Sequence, residues 1–380
     1  MSQTRIVNPF RPGSGVFPPL LAGREFPTSV FEARASRARE GHPQHTALLG
    51  EWAIGKTTLL MSWRRARRAI GDAVVLSIAY PQSADAFLAG LVEPIEAELA
   101  VGGSAPVEFE FGLELGVASA RVRRPVRDPE RDLQSALRRL AERQARNGRS
   151  ALVFIDDVTM LPASGDVLLR LRAIALELYA ADLPITFVVA GASSMFSEVR
   201  TAHEPLVRFF EPLTLGALDA VAAGKAITAP LADTDVTFEP SVVDAIVELS
   251  GGRPYYLQKL AYHAYESAER GRVGHQEFDL AFERAFASIS QEIFSGRWAS
   301  MPSAERGVVL ILAGSRVPVP SAVVETRAQS VGVKPPAARQ ALRRLTARGH
   351  VTRLANGGRG RYVVADALFR RFIVRHSHGD

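Results

Sequence analysis

The chain has 380 residues, 46 of them basic and 40 acidic, for a formal charge of +6; 47% are apolar and 23% charged. Those values describe a folded protein of two or three domains and exclude a disordered tail protein. Cysteine is absent, which removes disulfide frameworks, thiolate zinc sites and cysteine nucleophiles together.

Residues 1–30 are rich in Pro, Gly and Phe and show no period. This segment is expected to be an extended arm lying on the domain that follows. It carries no apolar signal core, and no run in the chain approaches the roughly 18 residues of a membrane span. A cytoplasmic location without membrane contact is therefore expected. A strand at 46–50 (TALLG), a helix at 56–70, a strand at 72–80 and a helix at 84–99 follow. Over 107–117 the alternation is strict, with Glu108, Glu110 and Glu114 on one side and apolar residues on the other. That period predicts a half-exposed strand or hairpin, its acidic face either solvated or an association edge. Asp128 is placed to cap a helix running to 145. The apolar strand 151–155 (ALVFI) ends at Asp156 and Asp157, a helix spans 165–180, and 185–190 (ITFVVA) is another apolar strand. Fully apolar strands alternating with helices indicate a parallel sheet covered on both faces.

Beyond about 215 strands are expected to stop, leaving helices at 218–227, 240–250, 255–270 and 277–294. From 302 three short helices (303–313, 321–330, 335–349) precede an alternating segment, 350–364, with Asn356-Gly357-Gly358 as its turn. Three helices and then a hairpin form the winged helix-turn-helix pattern.

The chemistry is concentrated at Gly50-Glu51-Trp52-Ala53-Ile54-Gly55-Lys56-Thr57, which fits G-x-x-x-x-G-K-[ST] at every fixed position and lies between a strand and a helix. Gly50 and Gly55 let the backbone turn its N–H groups toward phosphate oxygens, and the helix adds its positive end. Lys56 is expected on the β- and γ-phosphates, Thr57 on Mg²⁺, with Thr58 beside it among the nucleotide contacts. Asp156 at a strand end suits the carboxylate that holds Mg²⁺ through water; the alternative is a strand–loop cap. Asp157 stands where many hydrolysing relatives have Glu, and is one methylene shorter. Ser193 or Ser194 after ITFVVA is either a γ-phosphate sensor or a helix N-cap. The eight His residues do not cluster, so no structural zinc is expected.

In this order the motifs resemble the P-loop ATPases of the AAA+/STAND group, particularly prokaryotic relatives of origin-recognition and replication-initiator ATPases. Gly23-Arg24-Glu25 resembles the entry segment that binds the nucleotide base, and Gly251-Gly252-Arg253-Pro254-Tyr255 resembles the group's Gly-x-Pro motif. The resemblance implies that Arg24 and Pro254 approach the base or ribose and that Arg253 is close to a sensor arginine. It implies ATP and Mg²⁺ as cofactors and an α/β P-loop NTPase with a parallel sheet, followed by an α-helical lid domain and a winged helix-turn-helix domain. The expected boundaries are an arm at 1–30, the ATPase domain at 31–215, the lid at 216–300 and the winged helix at 301–380. Asp157 is a departure, closer to the Asp-Asp of STAND switches. No arginine finger can be assigned; Arg200 and Arg208 are candidates, with a surface ion pair as the alternative role of each.

The basic residues are unevenly placed. From Met301 onward 14 basic residues face four acidic ones, so this segment carries +10 and the rest of the chain −4. Arg339, Arg343, Arg344 and Arg348 form adjacent stripes on the third short helix, and Arg353, Arg359 and Arg361 lie in the hairpin. Such a flank fits phosphates and guanine edges of duplex DNA; the other reading is a solvated face or an acidic protein partner. Two functions follow: an ATPase whose nucleotide state controls a DNA-binding winged helix, or a slow or non-hydrolysing switch whose winged helix contacts protein. Self-association is open to both.

Overall fold

A computed structural model describes residues 7–13, 15–78, 81–100, 128–161, 163–196, 204–354 and 360–377. The expected strand at 107–117, Arg200, the 356–358 turn and Arg359 lie outside the described residues. The chain divides into two compact units: Phe26–Gly50 with Leu59–Thr214, and Met1–Glu25 with Glu51–Thr58 and Leu215–Asp380.

The first unit is built on a five-stranded sheet of β1 (His45–Gly50), β2 (Ala73–Ser77), β3 (Ala151–Ile155), β4 (Ile185–Gly191) and β5 (Phe210–Leu215), in the order β2-β3-β4-β1-β5. β1, β3 and β4 are buried at every position. Burial on both faces is why they appear in the sequence as unbroken apolar runs. They pair in parallel, with Leu48 opposite Ala190 and Val153 opposite Phe187. Ala47, Val75, Val153 and Phe187 share one core with α3 (Ala84–Ala100), α4 (Pro129–Arg146) and α5 (Ser164–Ala180). On the other side Phe154 meets Phe31 of α1 (Glu25–Arg39) edge-on, and Phe31 stacks at 4.2 Å on Trp63 of α2 (Lys56–Ala69). Asp128 caps α4 as expected, accepting from the Arg131 N–H at 3.2 Å.

One carboxylate ties these layers. Asp72 is buried and accepts from Arg39 Nη2 (2.9 Å), Arg67 Nε (2.7 Å) and the Ser150 N–H (3.0 Å). The C-terminal ends of α1 and α2 are thereby fixed to the start of β2 and β3. Only a carboxylate holding several donors makes such burial tolerable.

In the second unit α7 (Ala220–Leu231), α8 (Pro240–Ser250), α9 (Pro254–Glu266) and α10 (His275–Ile289) form the helical segment; α10 continues as a π-helical turn, Ser290–Phe294, and then α11 (Ser295–Ser300). The C-terminal segment holds α12 (Ser303–Ala313), β8 (Val319–Pro320), α13 (Ser321–Ala328), α14 (Pro335–Ala347), β9 (Val351–Leu354), β10 (Arg361–Val364) and α15 (Ala367–Ser377). β8-β10-β9 is antiparallel, with Tyr362 opposite both Val319 and Arg353. Both segments share one apolar core, because Phe369 of α15 packs 5.3 Å from Phe294.

Several elements depart from the sequence expectation. α1 begins at Glu25, inside the segment expected to be extended. The arm meets α9, far along the chain, whereas sequence order pointed to the domain that follows. Asn8 Nδ2 donates to the Tyr262 carbonyl (3.1 Å), and Phe10 packs edge-on against Tyr265. Strands do not stop at 215: β6 (Thr237–Phe238) and β7 (Arg272–Val273) pair in parallel. β5, α6 (Glu204–Phe209) and α15 were not expected at all. Among the described residues no helix is long and apolar enough to cross a membrane.

Candidate nucleotide site and arginine face

β1 ends at Gly50, and α2 begins at Lys56, so residues 51–55 must reverse the chain. They do so through two left-handed residues, Ala53 (φ 65°) and Gly55 (φ 89°). At Gly55 the backbone angle, not space, requires glycine: the nearest atom to a Cβ there would be Pro254 Cγ at 3.9 Å. Lys56 is buried and folds back so that Nζ donates to the Glu51 carbonyl at 3.0 Å. Thr57 and Thr58 follow in the first turn of α2.

Two further pieces hold this loop. Arg24 is 7% exposed and donates from Nη2 to the Ile54 carbonyl (2.9 Å) and from Nη1 to the Gly216 carbonyl (3.0 Å). Burial lowers its pKa, opposed by the charge of Glu25. Arg24 thus braces the loop backbone and the connection entering the helical segment. Gly252 (φ 70°) sits so close to residue 218 that a Cβ would lie 2.2 Å from the Leu218 carbonyl oxygen, and its own carbonyl accepts from the Leu218 N–H at 2.9 Å. This turn delivers Arg253-Pro254-Tyr255 to the loop. Arg253 forms an ion pair with Glu51, the Tyr255 N–H reaches the Ala53 carbonyl at 3.4 Å, and the Tyr255 ring meets Trp52 edge-on.

Within the sheet unit, β1, β3 and β4 run parallel, so Gly50, Asp156 and Ser193 follow C-terminal strand ends at one edge of the sheet. That edge is where open α/β sheets bind ligands. Asp156 is buried; its N–H donates to the Ser77 carbonyl (3.0 Å), and its Oδ1 accepts from the Asp157 N–H (3.0 Å). Asp157 is left-handed at φ 48° and opens the short 3₁₀ turn Val158–Met160. Ser193 is exposed in the turn after β4. Arg208, a finger candidate, pairs at 2.8 Å with Glu204 one helical turn away and is 80% exposed.

On α14, Arg343 and Arg344 are exposed, as are Arg353 on β9 and Arg361 on β10. Arg339 and Arg348 already have carboxylate partners: Glu325 (2.7 and 3.1 Å) and Glu305 (3.1 Å). The hydrogen bond from Arg339 holds the Glu325 carboxyl below its usual range. Glu305 is 1% exposed, so Arg348 compensates a buried charge. Sequence reasoning missed Glu51, Tyr255 and Glu305. Glu51 and Tyr255 stand at variable motif positions, and Glu305 is visible only as an acid in an apolar helix.

Residues 20–183 match the AAA ATPase domain family. No curated protein sequence matches the chain. Among solved structures, the chain is similar to the Walker-type ATPase of Pyrococcus abyssi at 16% identity, covering 96% of this chain and 98% of that one, with a TM-score of 0.65. It is also similar to the ORC2 protein of Aeropyrum pernix in ADPNP–ADP complexes (15% identity, 97% and 98% covered, TM-score 0.65). A third is Cdc6p of Pyrobaculum aerophilum (13% identity, 96% and 97% covered, TM-score 0.52). At these identities the likeness is one of fold: an α/β P-loop NTPase with a parallel sheet.

Proposed function

We propose, for a chain whose residues 20–183 form an AAA ATPase domain, that ATP binds at the 50–57 loop and that its presence controls a DNA-binding winged helix. The observation that carries the first half is the loop itself. Left-handed Gly55, the returning Lys56 and the bracing Arg24 give a preformed turn of backbone N–H groups at a helix start. The ORC2 relative of Aeropyrum pernix was solved with ADPNP and ADP. Lys56 would neutralise the β- and γ-phosphates, while Arg24 keeps the loop from relaxing. By their motif roles Thr57 and Asp156 would hold Mg²⁺, which supplies charge neutralisation between the phosphates. The buried, oriented carboxylate of Asp156 fits that task. Arg253 and Pro254 belong to the lid, 216–300, that closes on the nucleotide, and Ser193 is the sensor candidate.

The second half rests on charge. The winged helix, 301–380, carries +10, and Arg343, Arg344, Arg353 and Arg361 are exposed on its third helix and hairpin. These four are the proposed phosphate and base contacts. Arg339 and Arg348 join only by leaving Glu325 and Glu305. Asp157 favours a second reading, a slow or non-hydrolysing switch. Its left-handed backbone and shorter side chain are poorly suited to polarising an attacking water.

The experiment is Lys56→Ala. Retention of labelled ATP by the purified chain is expected to be lost, and unchanged retention would sink nucleotide binding at this loop. Steady-state phosphate release with and without duplex DNA separates the two readings: DNA-stimulated turnover supports the first, tight binding without turnover the second.

A further inference from the structure

Glu51 lies inside the phosphate loop, yet its side chain faces two distant parts of its own unit. Its carboxylate pairs with Arg253 at the N-terminus of α9. It also packs on Gly349, just beyond α14: a Cβ at Gly349 would lie 2.5 Å from Glu51 Oε1, and the residue is left-handed at φ 71°. The backbone angle favours glycine there, and the carboxylate occupies the space a side chain would take. The residues flanking Gly349 are themselves held. Arg348 reaches the buried Glu305, and His350 Nδ1 lies 2.6 Å from Arg297 Nη2. Arg297 sits 4.0 Å above the Phe369 ring and 3.5 Å from Asp366. Asp366 accepts from the Tyr256 hydroxyl at 2.8 Å, and Tyr256 is three residues along α9 from Arg253. The contacts close a ring: Glu51, Arg253, Tyr256, Asp366, Arg297, His350, Gly349 and back to Glu51.

We infer that Glu51 is the residue through which nucleotide at the loop reaches the C-terminal segment: phosphate draws Arg253 away from Glu51, and Glu51 withdraws from Gly349. The inference rests on nucleotide binding at this loop and adds to it the route of control. A phosphate group offers Arg253 more charge and more acceptor oxygens than one carboxylate does. A carboxylate left beside phosphate without its cation is repelled by it. Gly349 then loses the carboxylate packed against it, and the end of α14 is left with one contact fewer to hold it. α14 bears Arg343 and Arg344, so the response arises next to the proposed DNA contacts.

The test uses the full chain and the non-hydrolysable analogue ADPNP. Retention of ADPNP is measured first, then amide hydrogen exchange over 343–354 with and without it. In the wild-type chain exchange there is expected to rise several-fold on ADPNP binding. Glu51→Gln should show the raised exchange without nucleotide and no further rise with it. Gly349→Ala should do the same, because its Cβ displaces the carboxylate; should that variant fail to fold, Glu51→Gln decides alone. ADPNP retained by the wild type without any change in exchange overturns the inference. So does a Glu51→Gln chain whose exchange without nucleotide is that of the wild type. A wild-type chain that retains no ADPNP strikes at nucleotide binding itself, and that failure is visible in the first measurement.

Discussion

The chain has 42 arginines against four lysines, and those of the sheet unit and of the C-terminal segment do different work. In the sheet unit Arg67 is 2% exposed at its side chain and lies on a fully buried carboxylate, Asp72, with Arg39 on the same group. In the C-terminal segment Arg343, Arg344, Arg353 and Arg361 are exposed. What separates the two is the supply of carboxylates: the sheet unit, 26–50 with 59–214, holds 21 basic and 22 acidic residues, whereas the residues from Met301 onward hold 14 basic and four acidic. An arginine count therefore says little, and the balance of local charge says which arginines are structural.

The sharpest way to break the comparison is Asp72→Ala. It leaves the buried Arg67 with only the part-exposed Glu32 as a carboxylate partner and takes an acceptor from Arg39 and the Ser150 N–H, for an expected loss of about 3 kcal/mol in stability. Urea unfolding followed by far-UV circular dichroism would measure it. A loss below about 1 kcal/mol would mean that the buried pair is no more structural than a surface one.

A second effect is acid sensitivity, and each unit carries a buried histidine that contributes to it. Burial lowers the pKa of His45 to about 3, and its Nδ1 accepts from the Phe187 N–H at 3.1 Å. His350 is also pushed down to about 3, by burial and by the charges of Arg297 and Arg348. Each is neutral in the fold and titrates at its ordinary value when unfolded. Stability from each is thus fully present above about pH 6.5 and is lost as pH falls from there toward 3. The slope is about 1.4 kcal/mol per pH unit for each group. His45→Phe should remove its share of the slope in denaturation curves between pH 6.5 and 4. A slope equal to that of the wild type would show that His45 is charged in the fold.

Much of this was legible in the sequence, for physical reasons that differ by element. β1, β3 and β4 are buried on both faces, so their apolar runs stand out. β5, FEPLTL, is an edge strand in which Glu211 is half-buried and Pro212 exposed, and its pattern is too short and irregular to register. β6 and β7 are two residues each, below any periodic signal. The 50–57 loop was readable because its motif is local in sequence and Gly55, at φ 89°, is required by its backbone angle. The Glu51 contacts with Arg253 and Gly349 join residues far apart in the chain, and no local pattern encodes them.

For the exposed arginines the expected effects are smaller. Arg343→Ala and Arg344→Ala should each weaken duplex DNA binding and reduce the slope of log affinity against log salt by about 0.9, if each neutralises one phosphate. Fluorescence anisotropy with a labelled duplex across a salt series would read both. An unchanged slope in the double variant would transfer this face to a protein partner.

The smallest effect is the most discriminating, because it asks whether a paired arginine can change roles. Arg339 is 59% exposed and bound by Glu325, whose side chain is 16% exposed. Solvent screens an exposed ion pair of this kind, so Glu325→Gln should leave stability nearly unchanged. The same substitution removes a negative charge beside α14 and frees Arg339 for a phosphate. If the face binds a polyanion, Glu325→Gln should tighten duplex binding a few-fold at low salt, and the gain should shrink as salt rises, since exposed charges are screened. If the arginines only solvate the surface, affinity for DNA should be as low in the variant as in the wild type. Weaker binding in Glu325→Gln would mean that the Glu325–Arg339 pair orients α14 for its partner, and Arg339 would then belong with Arg67 as a structural residue.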